Sequence, residues 1–207
     1  MKPKDIIHLV DDEEAVRKAA SFSLTTAGYN VVTYASGAEF LKAAKSAPVG
    51  CVLLDVRMPD MDGLQVQAKM KERGIQMPVI ILTGHGDVTV AVQAMKGGAV
   101  DFLEKPFEKS ALFDAIKRAF ARIRNSDLRA LEENEARERI AALTDREREV
   151  MEGLAHGHPN KTIAYDLGFS SRTVEVHRAS LMSKLGVRNL SEVLRIAFAA
   201  GMGHKSK

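Results

Sequence analysis

The sequence predicts two domains: an α/β domain built on a five-stranded parallel sheet, then a smaller all-helical domain. Three observations carry that reading. At 207 residues the chain has room for one large domain or two small ones. Over residues 1–124, short apolar runs alternate five times with amphipathic stretches. Beyond residue 142 the strand-like runs stop and only helical periodicity remains.

The strand-like runs are Ile6–Val10, Asn30–Tyr34, Gly50–Asp55, Met77–Leu82 and Val100–Leu103, most of them rich in Val, Ile or Leu. Gly28, Gly74 and Gly97 stand where the intervening helices should stop. Near-continuous apolar strands separated by helices imply a parallel sheet covered on both faces. Five such strands suit a flavodoxin-like, doubly wound order of 2-1-3-4-5. Residues 1–124 therefore form the first domain.

Residues 125–142 stay helical but carry three basic and five acidic side chains. Leu128, Leu131 and Ile140 are too few apolar positions for sustained heptads, so this stretch reads as a charged, solvated linker rather than a coiled coil. The second domain spans 143–207. Thr144-Asp145-Arg146-Glu147 has the capping-box pattern and opens a helix to about Ala155. His158-Pro159 breaks it. Asn160–Leu167, Ser171–Leu185 and Leu190–Ala200 follow as helices, with Gly168 and Gly186 as stops. A tight glycine-containing turn between the second and third helices fits a helix-turn-helix module.

Composition removes several classes. Cys51 is the single cysteine, so no intrachain disulfide is possible and a reducing, cytoplasmic setting is expected. No run approaches the roughly 18 apolar residues of a membrane span, and the charged start does not resemble a signal peptide. The net charge of +3 divides into 17 basic and 15 acidic residues over 1–124, and 10 and 7 over 143–207. That excess alone is weak evidence for a nucleic-acid partner. Cys51 and His8 read as packing residues, His85 as a loop residue, and the scattered methionines as core filling.

In a doubly wound sheet, ligands lie beyond the carboxyl ends of the strands. Strand one ends in Asp11-Asp12, strand three in Asp55, strand four in Thr83 and strand five in Lys105-Pro106. Three carboxylates, a hydroxyl and an ammonium thus converge on one edge. Carboxylates packed that closely repel, and a hard divalent cation such as Mg²⁺ resolves the conflict. Metal, lysine and hydroxyl together suit a phosphoryl group, and an ionised Asp55 is placed to attack phosphorus and form an acyl phosphate.

These motifs, Val10-Asp11-Asp12-Glu13, Leu54-Asp55-Val56-Arg57-Met58-Pro59-Asp60-Met61-Asp62-Gly63, Thr83-Gly84-His85-Gly86-Asp87 and Asp101-Phe102-Leu103-Glu104-Lys105-Pro106-Phe107, closely resemble the receiver domain of two-component response regulators. The resemblance implies that a sensor histidine kinase phosphorylates Asp55. It implies that Asp12, Asp55 and the backbone carbonyl of Arg57 bind Mg²⁺, with Asp11 supporting the metal from behind. Lys105 would pair with the phosphoryl group, while Thr83 and Phe102 would change position together, Phe102 turning inward.

On a helical wheel, Val174, Leu181 and Leu185 share the apolar side of the third helix of the second domain, with His177 and Met182 at its edge. Arg172, Glu175, Val176, Ala179 and Ser183 fall opposite, where small and polar side chains let a helix approach base edges. Asn160, Lys161, Thr173 and Lys184 are better placed for phosphates. Leu143 to Met151, Asn160 to Ala164, Thr173 to Arg178 and Lys184 to Val187 resemble the LuxR/NarL-type DNA-binding domain, so the whole chain resembles a FixJ-like response regulator. That implies a transcriptional regulator, not an enzyme, which dimerises on phosphorylation and works with promoter DNA and RNA polymerase.

Two other classes were weighed. A Mg²⁺-dependent phosphohydrolase with an aspartyl nucleophile would want a second acid two residues on, where Arg57 stands. A flavin or nucleotide domain would want a glycine loop after strand one, where Asp11-Asp12-Glu13-Glu14 would repel phosphate. A regulator independent of phosphorylation has no need of the complete acidic cluster.

Overall fold

The computed structural model describes residues 5–84, 88–124 and 128–203. Five parallel strands, β1 (Ile6–Val10), β2 (Asn30–Tyr34), β3 (Cys51–Asp55), β4 (Val79–Thr83) and β5 (Asp101–Glu104), pair in the order β2-β1-β3-β4-β5. This is the predicted doubly wound sheet. Helices α1 (Glu14–Thr26), α2 (Gly37–Ala43), α3 (Gly63–Glu72), α4 (Val88–Lys96) and α5 (Lys109–Arg124) connect and follow the strands. Every residue of β3 and β4 is buried, as central parallel strands require.

Small differences from the sequence reading have local causes. β4 starts at Val79 rather than Met77, since Pro78 has no N–H to donate and offers only its carbonyl, to the Val52 amide at 2.9 Å. The left-handed residue after α4 is Gly98, at φ 95°, rather than Gly97. His85 lies outside the described residues. His8 and Cys51 are fully buried, and His8 Nδ1 and Nε2 meet the Tyr34 hydroxyl at 3.1 Å and the Pro48 carbonyl at 3.0 Å.

The chain divides into two compact units. The first holds all five strands with α1, α2, α3 and α5. Its core joins strand residues such as Ile7, Leu53 and Ile80 to Ile116 and Phe120 of α5. The second unit holds α4 with α6 (Leu128–Ala141), α7 (Asp145–Ala155), α8 (Asn160–Leu167), α9 (Ser171–Leu185) and α10 (Leu190–Ala199). Its core is built around Val150, Met151, Leu154, Ile163, Val174, Leu181 and Leu185. The charged stretch expected to be solvated contributes to that core, because Ala136 and Ile140 of α6 are buried in it.

The second unit depends on one buried carboxylate. Glu147 is only 3% exposed. It closes the predicted capping box with Thr144 at the start of α7, its Oε2 accepting from the Thr144 amide at 2.8 Å. The same carboxylate accepts from Ser180 Oγ at 2.6 Å and Lys184 Nζ at 2.8 Å, both on α9. Burial alone disfavours its charge, but the hydrogen bonds from Lys184, Ser180 and Thr144 outweigh that and hold its pKa down to about 2. A cap of one helix thereby fixes the orientation of another.

A folded pKa below the usual carboxylate value gives stability that is present above pH 4.5 and lost as the pH falls towards 2. Glu147→Gln should therefore lower the stability of the helical unit by about 1–3 kcal/mol at neutral pH. The deficit relative to wild type should shrink as the pH drops below 4.5. Urea unfolding of both proteins across that range checks this, and a pH-independent deficit would show that the charge is irrelevant.

Candidate functional site

Strand register brings the acidic residues together. Val10 of β1 pairs with Leu54 of β3, so Asp11 and Asp55, each one residue further on, lie level at the carboxyl edge. Both are buried, at 1% and 6% exposure, while Asp12 turns to solvent. β5 delivers Lys105 to the same edge, its backbone amide bonding to the Thr83 carbonyl. Arg118 of α5 pairs with buried Asp101, tying β5 to its covering helix.

Lys105 joins the cluster. Its ammonium lies 2.5 Å from Asp55 Oδ1 and 3.0 Å from Asp11 Oδ2. Each second oxygen is held by backbone: Asp55 Oδ2 accepts from the Arg57 amide at 2.7 Å, and Asp11 Oδ1 from the Glu13 amide at 2.9 Å. Burial pushes the Asp55 pKa up and the Asp11 charge adds to this, against the lowering pull of Lys105. Burial works against the charge of Lys105 too, yet its bonds to Asp55 and Asp11 raise its pKa. A buried carboxylate pair thus shares one cation.

The loop after β3 closes on this pair. Gly63 opens α3 against the backbone of Asp55, where a Cβ would sit 2.3 Å from the Asp55 carbonyl oxygen. Only glycine allows that approach. Asp62 caps α3 in a capping box with Gln65, a signal present in the sequence as an Asp followed three residues later by Gln. Thr83 is 2% exposed at the end of β4, and Phe102 is 6% exposed on β5. Both members of the expected switch pair are thus buried on neighbouring strands.

Arg17 was missed by sequence reasoning. Its Nη1 donates to the carbonyls of both Asp11 and Asp12, at 2.7 and 2.8 Å. Helix side chains lean toward the N-terminus, so an arginine in the first turns of α1 reaches back over the loop that precedes it. That geometry was the only available signal, since the spacing matches no motif.

The oxygen-only donor set of Asp12, Asp55 and the Arg57 carbonyl fits a hard cation. Among the described residues, no three carboxylate, histidine or cysteine groups gather closely enough to hold an ion by themselves. Of the three carboxylates expected to converge, the structure brings together Asp11 and Asp55 and leaves Asp12 turned to solvent.

In the second unit, α9 shows the predicted division of faces. Val174, Leu181 and Leu185 are buried, while Arg172, Glu175, Val176, Ala179 and Ser183 are exposed in one stripe. Arg172 and Glu175 pair across one turn at 3.1 Å. Lys161 is exposed on α8. Three residues read as phosphate contacts have other engagements. Lys184 is exposed and pairs its ammonium with Glu147. Asn160 Oδ1 accepts from Arg178 at 2.7 Å, and the Thr173 amide and hydroxyl both meet Ser170, the N-cap of α9.

Comparison with known proteins agrees with this layout. Residues 7–117 match the response regulator receiver domain, and residues 141–197 match the bacterial regulatory proteins of the luxR family. The transcriptional regulatory protein FixJ of Rhizobium meliloti is 45% identical over 95% of this chain and 97% of its own length. The FixJ protein of Bradyrhizobium diazoefficiens is 45% identical over 98% of both chains. The crystal structure of full-length FixJ from B. japonicum covers 97% of this chain and 98% of its own, at 42% identity and a TM-score of 0.58. Among the described residues no helix is long and apolar enough to cross a membrane. Two buried lysine–carboxylate sites, one at the edge of a parallel sheet and one beneath an exposed helix face, thus lie in a chain that belongs to the FixJ-like response regulators, transcriptional regulators joining a receiver domain to a LuxR-type DNA-binding domain.

Proposed function

We propose that Asp55 is the phosphoacceptor, that a sensor histidine kinase supplies the phosphoryl group, and that the phosphorylated chain binds promoter DNA as a dimer. The observation that supports this most is the single ammonium of Lys105 shared by buried Asp11 and Asp55. A carboxylate oxygen of Asp55 attacks phosphorus, the P–N bond of a phosphohistidine breaks, and the imidazole leaves with a proton. Lys105 then exchanges its carboxylate partner for a phosphoryl oxygen, and the Thr83 hydroxyl donates to another. Bound at Asp12, Asp55 and the Arg57 carbonyl, Mg²⁺ would offset the charge that accumulates on the phosphoryl oxygens.

Phosphorylation adds charge of about −1.5 to −2, by analogy with other phospho-residues. Moving a switch from mostly off to mostly on takes about 5.5 kcal/mol of differential stabilisation. Thr83 stands between the site and β5, whose Glu104 pairs with it in the sheet, so it is the residue placed to pass the change on. Phe102 changes position with it. On the output side, the α9 stripe enters the major groove and Lys161 meets phosphate, with RNA polymerase the partner at the promoter.

A small phosphodonor with Mg²⁺ should add one phosphoryl group that peptide mapping places on Asp55, and Asp55→Asn should remove it. Retained labelling at any other residue in the variant, at the wild-type rate, would contradict the assignment. Thr83→Ala should take up phosphate yet dimerise poorly in sedimentation, whereas dimerisation at the wild-type level would exclude this route.

The DNA-facing residues separate by what they change. Glu175→Ala should shift the preferred base at one position, costing about 1–3 kcal/mol for the original sequence. Lys161→Ala should weaken all sequences alike and reduce the salt slope by about 1. Binding-site selection at two salt concentrations distinguishes them, and a base shift in the Lys161 variant would mean that α9 is rotated on its axis.

A further inference from the structure

Of the three carboxylates at the acidic edge, Asp11 and Asp55 are anchored through their own side chains and Asp12 is not. Asp11 is fixed through both oxygens, by Lys105 and the Glu13 amide. Asp55 is fixed through both, by Lys105 and the Arg57 amide. Asp12 is exposed, and among the described residues its carboxylate has no hydrogen bond or ion pair. Its direction is set by backbone alone. The helix that follows gives little help, because Glu13 at its N-cap makes no side-chain capping bond.

The backbone at that point is held by Arg17. One guanidinium nitrogen donates to the Asp11 carbonyl at 2.7 Å and to the Asp12 carbonyl at 2.8 Å. Two adjacent carbonyls directed at one donor fix the peptide between them, and with it the direction in which the Asp12 side chain leaves the loop. We infer that Arg17 is a positioning residue for Mg²⁺: it touches neither metal nor phosphoryl group, but aims the Asp12 carboxylate at the cation site. This rests on the Mg²⁺-dependent phosphoacceptor reading above.

Charge and position predict opposite signs. Arg17 is a cation beside a cation site, so if only its charge mattered, removing it would tighten Mg²⁺ binding. If its role is to aim Asp12, removing it weakens binding despite the relief of repulsion. Loss of an outer partner that orients a ligand typically weakens metal affinity about tenfold to a hundredfold. The charge effect opposes this, which places the expected loss near the lower figure.

The experiment is a Mg²⁺ titration of the full chain by calorimetry and by amide shifts in β1 and β3, for wild type, Arg17→Met, Arg17→Lys and Asp12→Asn. Arg17→Met should weaken Mg²⁺ about tenfold, with its thermal midpoint measured alongside to separate site from fold. Arg17→Lys keeps the charge and one donor group, so it should recover part of the loss. Labelling of Asp55 in Arg17→Met should reach its plateau only at correspondingly higher Mg²⁺. Unchanged or tighter Mg²⁺ binding in Arg17→Met, while Asp12→Asn weakens it, would overturn the positioning role and leave the phosphoacceptor reading standing. Wild type that binds no Mg²⁺, or Asp12→Asn that binds it as well as wild type, would overturn both. Should Arg17→Met fail to fold, Arg17→Gln decides, since it removes the charge and shortens the reach: Mg²⁺ affinity at or above the wild-type level in that variant would overturn the positioning role.

Discussion

The ammonium of Lys105 is the interaction on which the first unit depends. Parallel strand register forces Asp11 and Asp55 to the same level of the same edge, and the sheet buries both. Two buried carboxylates without a cation would repel strongly, and one would have to take up a proton. Lys105, just after β5 and 94 residues along the chain from Asp11, resolves this with contacts of 2.5 and 3.0 Å. The arrangement is costly by design, since burial opposes the charge on Asp55 and on Lys105 alike. Under the proposed phosphoacceptor reading, a site held in that balance responds to added negative charge, because a phosphoryl oxygen would offer the lysine a better partner than a crowded carboxylate.

The second unit repeats the device for a different purpose. Glu147, buried at the start of α7, draws Lys184 and Ser180 of α9 onto itself. Here the pair has nothing to exchange for, and the carboxylate is stabilised rather than strained. Its result is a helix, α9, whose apolar side is locked down and whose stripe from Arg172 to Ser183 is left outward. One lysine–carboxylate pair would be broken on the proposed phosphorylation, whereas the other holds a surface in place.

Much of this was legible in the sequence because it rests on short-range rules. Period and length gave the strand order, and the Thr144–Glu147 spacing gave the cap of α7. The wheel of α9 separated its two faces correctly, since burial there follows helical periodicity. Strand ends gave Asp11, Asp55, Thr83 and Lys105, because parallel topology brings those ends together without further information. What escaped was long-range or three-dimensional. The pairing of Lys184 with Glu147 escaped because nothing local announces a carboxylate 37 residues away. Arg17 escaped because its partners are carbonyls, which no side-chain motif records. The charged stretch of α6 was read as solvated, since two small apolar insertions, Ala136 and Ile140, do not show in its overall polarity.

The central claim is that Lys105 is required because buried Asp11 and Asp55 are charged beside each other. A stability cycle tests it directly. Lys105→Met is introduced into wild type and into a background where both Asp11 and Asp55 are changed to Asn, with urea unfolding followed at the amides of β1 and β3. Breaking a buried pair by removing one partner typically costs about 3–5 kcal/mol. The account predicts a cost of that order in wild type and a much smaller one in the neutral background. Equal costs in the two backgrounds would show that Lys105 stabilises the edge by packing alone, and would contradict the claim.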